Sequence, residues 1–229
     1  MTRTQPAPVD EESRAILRRI VESLAWRQLA VINILGHGLK FVTELDVKLR
    51  VVGELDRALE LFQSVRALYG ELGWTDLESA VRDRTEEVPY PESRLEFGVA
   101  YYVSGLTEEV AMRGFVESSH AGFAAIARKH VEAAAQRPEP TRFIEYCSDP
   151  SNRPHGQELL DRWVVAARRS FGRTDSPHDA RALQLRLKNK RAADLDRVFC
   201  DRLKPFLARL GHKSRRRMCP PMAKSMAGL

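Results

Sequence analysis

One apolar period constrains this chain more than any other feature. Leu45, Leu49, Val52, Leu55, Leu59, Phe62, Val65 and Leu68 follow one another at intervals of 4, 3, 3, 4, 3, 3 and 3 residues. That spacing puts all eight on one side of an α-helix. Such a helix needs other helices or a sheet to cover it. The rest of the sequence offers helices, because runs of alternating β-branched residues are absent and Gly and Pro fall between long amphipathic stretches. The expected fold is therefore all-α.

The helix boundaries follow from local signals. A first helix is expected from about Asp10, a suitable N-cap, to Leu35, where Gly36-His37-Gly38 breaks it. The second runs from Thr43 to Leu72, opened by a capping box in which Asp46 replaces the usual Glu. A short helix over 76–84 leads to the breaker Pro89-Tyr90-Pro91. Further helices are expected over 93–116, 118–136, 141–147 and 155–171. A last one opens at Pro177 and continues, with a bend, to Leu210, with Gly211 as its C-cap. Two long helical pairs, before and after Pro89, predict an up-down bundle with C-terminal helices appended.

Composition narrows the function classes. A chain of 229 residues with 43% hydrophobic and 30% charged residues suits one packed domain. We expect a single domain over 1–211 and a basic, disordered tail over 212–229. The longest apolar run, Leu29 to Leu35, falls far short of the ~20 residues that span a bilayer. The polar start has no signal-peptide pattern. Three cysteines without metal spacing, Cys147, Cys200 and Cys219, point to a reduced cytoplasmic setting. The net charge is +6, and His212, Lys213, Arg215, Arg216 and Arg217 crowd the tail. No aromatic residues interleave that cluster, which argues against a nucleic-acid partner.

Several residues then carry a resemblance. Gly53-Glu54-Leu55-Asp56-Arg57 occurs on helix two, Glu117 to Lys129 reads ESSHAGFAAIARK, and His155 to Trp163 reads HGQELLDRW. With Tyr90-Pro91, Ser170-Phe171-Gly172, Arg181-Ala182-Leu183 and Leu187-Lys188, they form a collinear set over roughly residues 15–211. That set resembles the catalytic subunit of the phenylacetyl-CoA epoxidase (ring-hydroxylating phenylacetate monooxygenase) complex. In part it also resembles the inactive partner subunit of that complex. The resemblance implies a ferritin-like bundle with a di-iron site, an aromatic acyl-CoA or aromatic small molecule as ligand, and homo- or hetero-oligomers with a related helical subunit.

Carried over by position, the implied iron ligands do not survive. The helix-one carboxylate falls at Gln28 and the helix-three carboxylate at Ser104. Helix two keeps Glu54 but has Arg57 where histidine is implied. The helix-four pair falls within Ala133 to Arg137, which reads AAAQR. Glu22, Glu108 or Glu109 supply a carboxylate in another register, but nothing supplies both histidines. His130 and Glu132 sit two apart and diverge on a helix. No metal or other cofactor is therefore expected, with the di-iron centre lost.

Glu54, Arg57, Gln28 and Ser104 remain as candidate site residues, either as hydrogen-bonded bundle glue or as an acid–base or anion site. Lys188, Lys190 and Arg191 are the candidate rim for CoA phosphates. Trp26, Phe97, Tyr101, Tyr102, Phe115 and Phe123 are expected in the core or around an aromatic cavity. His120 and His155 fit helix starts better than catalysis, and neither Cys147 nor Ser119 has a nucleophile's surroundings. Two readings follow. The chain is a non-oxygenating partner or substrate-binding subunit for aromatic or acyl-CoA oxygenation. Alternatively, it is a stand-alone, metal-independent acid–base enzyme of a biosynthetic pathway that uses the former di-iron cavity.

Overall fold

The computed structural model describes residues 10–134, 139–173 and 176–210. The expected tail, its basic cluster, Gly211 and most of the 133–137 stretch lie outside them. The described chain is all-α, with no strand among its residues. Its helices are α1 (Glu11–Gly38), α2 (Leu45–Glu71), α3 (Leu77–Glu86), α4 (Arg94–Arg113) and α5 (Ala121–Ala134). There follow α6 (Thr141–Ser148), α7 (Arg153–Arg169), α8 (Pro177–Gln184) and α9 (Ala192–Arg209). Helix α1 packs on α2 and α4 packs on α5. Contacts of α1 with α4 and of α2 with α5 close these four into a helical bundle. Helix α3 covers α1, while α6, α7 and α9 cover α4.

Caps explain several starts. Asp10 accepts from the Ser13 N–H at 2.8 Å, as its N-cap reading requires. Ser93 accepts from the Glu96 N–H at 3.1 Å, while the Glu96 carboxylate reaches back to the Glu92 N–H at 2.8 Å. The sequence reading of α2 is corrected at its start. Glu44 is the N-cap and no side chain caps the helix, because the Thr43 hydroxyl turns to Glu44 instead.

Three further expectations change. Gly36-His37-Gly38 does not break α1. A Cβ at Gly38 would collide with the Phe97 ring on α4, so glycine here permits close helix contact. The helix then passes into a 3-10 turn at Leu39–Phe41. The expected long C-terminal helix is two. They are separated at Arg186, which adopts a left-handed φ of 55° without being Gly or Asn.

The eight-residue stripe of α2 is also split. Phe62, Val65 and Leu68 are buried, but Leu45 and Leu49 are 69% and 60% exposed, and Val52 and Leu59 are exposed as well. The helix instead buries Val51, Ala58, Phe62, Val65 and Tyr69. That face runs at intervals of 7, 4, 3 and 4, rotated by about one residue from the expected one in the first half of the helix.

Candidate functional site

The bundle interior is polar at one level, and adjacent residues of α1 supply it. Gln28 is 1% exposed and faces α4 and α5. Its side-chain nitrogen lies 2.9 Å from His130 Nδ1, and that nitrogen lies 2.9 Å from Glu108 Oε1. One ring nitrogen carries one proton. Nδ1–H donates to Glu108 when the Gln28 amide turns its oxygen toward the ring, an orientation set by the network. His130 Nε2 is buried and has no hydrogen-bond partner. The sequence places His130 and Glu108 on separate helices, 22 residues apart, so only the packing of α4 on α5 brings them together.

Arg27, one residue earlier, is 8% exposed and points elsewhere. Its Nη1 donates to the Ser170 carbonyl at 3.0 Å, beyond the end of α7. Its Nε is buried without a partner. Burial draws the guanidinium down to about 10. The nearby Arg84 charge acts in the same direction and Glu108 opposes it.

Between these groups lies a small cavity of about 50 Å³. Trp26, Ala30 and Val31 of α1, Ser104, Thr107 and Glu108 of α4, and Trp163 of α7 are among its walls. Two indoles and small aliphatic residues among its walls give it a largely apolar lining. Trp163 donates its N–H to Glu96 at 2.9 Å, so its polar edge is already engaged. Trp26 Nε1 is buried and unpartnered. The Arg84 guanidinium lies 5.0 Å over the Trp26 ring centre and holds it from outside.

A second cleft of about 160 Å³ adjoins the first, and Arg27 and Ser170 line both. Arg19, Arg173, His178, Asp179 and Lys188 contribute to its walls. Lys188 is ion-paired with Asp179 and buried. Burial and then the Arg27 charge outweigh that carboxylate and draw the amine down to about 8.

The sequence-derived candidates therefore separate. Gln28 sits in the buried cluster and Ser104 in the cavity wall. Glu54 and Arg57 pair with each other on α2, their side chains 18% and 43% exposed. Neither lines the cavity. Lys188 is turned inward rather than standing on a phosphate rim. Lys190 is half-buried, and Arg191 is exposed at the start of α9; neither lines the second cleft. Of the aromatic candidates, Trp26 is on the cavity, Phe115 is on the second cleft and Phe123 is in the core.

Among the described residues no three His, Cys, Asp or Glu side chains converge as a metal group would need. An amide, a hydroxyl and an arginine-paired glutamate do not suit a carboxylate- and imidazole-bound iron pair. No protein-family model and no curated protein matches the chain.

Proposed function

We propose that this protein is a ferritin-like, phenylacetyl-CoA-epoxidase-like substrate-binding protein that serves as a partner subunit in aromatic or acyl-CoA oxygenation. The observation that carries the ligand class is the cavity between Trp26 and Trp163. Its indole faces and small aliphatic walls suit a phenyl ring, and the unpartnered Trp26 N–H suits an acceptor on the ligand, such as a thioester or carboxyl oxygen. Titration with phenylacetyl-CoA, followed by indole fluorescence, tests this reading. Saturable quenching that is lost when Ala30→Phe fills the cavity supports it. No binding by any aromatic acyl-CoA to the folded protein refutes it.

A second reading rests on a separate observation. Glu108 stands on the cavity wall with His130 Nδ1 against its carboxylate, an arrangement suited to moving a proton within a bound molecule. In that reading the protein is a metal-independent isomerase or cyclase. Glu108→Gln separates the two: a binding subunit keeps its ligand affinity and its partner's turnover, whereas an acid–base enzyme keeps affinity and loses turnover.

A further inference from the structure

The other buried ionic groups at this end of the molecule are matched. Arg168 makes a bidentate pair with Asp196 at 2.7 and 2.8 Å, and Glu109 takes both Arg113 and Arg202. Among the described residues, Arg27 has one hydrogen bond, to a main-chain carbonyl, and its buried Nε has no partner. The cleft beside it gathers Arg19, Arg27, Arg173, His178 and Lys188, against one carboxylate among its described lining residues, Asp179. That carboxylate is already engaged, by Lys188 and by the Ala192 N–H at 3.1 Å. Arg19 donates to His178 Nε2, an imidazole nitrogen rather than an anion.

We propose that this second cleft is an anion-binding site for a carboxylate or phosphate group, with Arg27 and Lys188 as its buried cations and Arg19 and His178 at its mouth. A guanidinium presents its N–H groups in a fork that fits either anion. Its Nε is a buried donor without a hydrogen-bond partner. An anion seated here also relieves the repulsion between Arg27 and Lys188, which no described carboxylate now offsets in full.

The shared wall at Arg27 and Ser170 adds a geometric condition. Because Arg27 lines both spaces, a ligand whose ring fills the cavity beside Trp26 and Trp163 directs an acidic group toward Arg27. This extension rests on the ligand reading given above, whereas the anion site does not.

Three probes separate the possibilities in a low-salt, phosphate-free buffer, using calorimetry on the full chain. They are inorganic phosphate, phenylacetate and neutral phenylacetamide. Saturable binding of phenylacetate but not of the amide, weakened at least about tenfold by Arg19→Gln and by Lys188→Met, is the expected result. Arg19 is exposed, so its variant keeps the test valid should the buried substitution impair folding. Binding of phosphate alone, with the same sensitivity, supports the anion site and overturns the aromatic extension. Equal binding of phenylacetate and phenylacetamide, indifferent to Arg19→Gln, overturns the anion site and leaves the cavity reading standing. No heat from phosphate or phenylacetate at millimolar concentration overturns the site outright.

Discussion

Gln28 and Arg27 are chain neighbours, both buried, and they face two different kinds of interior. On the Gln28 side, side chains from α1, α4 and α5 engage one another: Gln28, His130 and Glu108 meet within hydrogen-bond distance around one ring nitrogen. On the Arg27 side the cation meets a single carbonyl, a bare cleft and further positive groups. A buried hydrogen-bonded cluster that joins three helices ties a bundle together, although His130 Nε2 and Gln28 Oε1 have no partner of their own. A buried charge without a counter-charge costs stability and persists only where something else requires it. The first region ties helices together, and the second is the one that the proposed anion site accounts for.

The largest effect is expected on the fold side. His130→Ala removes a fully buried ring, the hydrogen-bond partner of Gln28 and a partner of Glu108. It should cost about 3–4 kcal/mol, read as a lowered midpoint in chemical denaturation. A loss below about 1 kcal/mol would mean that this network does not support the bundle, and the contrast between the two sides would fail.

Glu54 and Arg57 give a smaller effect. A buried pair broken at Arg57 would cost several kcal/mol, but this pair stands on the outside of α2. Arg57→Ala should cost less than about 1 kcal/mol, and that cost should shrink further in high salt. A larger, salt-independent loss would restore the pair to the interior and return it to the candidate site.

The smallest effect is expected on the first half of α2. Leu49→Glu should change stability by no more than about 0.5 kcal/mol, since the side chain is already in water. The equivalent change at Val51, two residues along and on the buried face, should unfold the helix from α1 and α5. Equal losses at the two positions would contradict the register described here.

Much of this architecture was legible in the sequence. The helical period gave the fold class, and Asp10, Ser93 and Pro177 mark the starts of α1, α4 and α8 through local chemistry that packing leaves alone. The α2 register was not legible. Two faces of that helix, one residue apart, both carry apolar side chains, and only its contacts with α1 and α5 choose between them. The division of α8 from α9 was hidden because Arg186, at the left-handed position, belongs to a residue type that rarely adopts it. For the site, Gln28 and Ser104 came from the ligand positions that the resemblance implied rather than from the chemistry of either residue. Glu108 and His130 were visible only as isolated polar residues on different helices. Lys188 belongs to a basic run in the sequence, and its inward turn toward Asp179 depends on how α8 folds back before α9.

The most direct measurement is the thermal midpoint of Arg27→Met against the parent protein, with and without phenylacetate. Methionine keeps the length and apolar character of the side chain and removes the unmatched charge. If Arg27 is retained for a ligand, the ligand-free variant melts at or above the parent, gaining up to about 1–2 kcal/mol, and loses the rise in midpoint that phenylacetate gives the parent. A variant that melts well below the parent without ligand, as His130→Ala should, would show that Arg27 serves the fold and would contradict the division between the two sides.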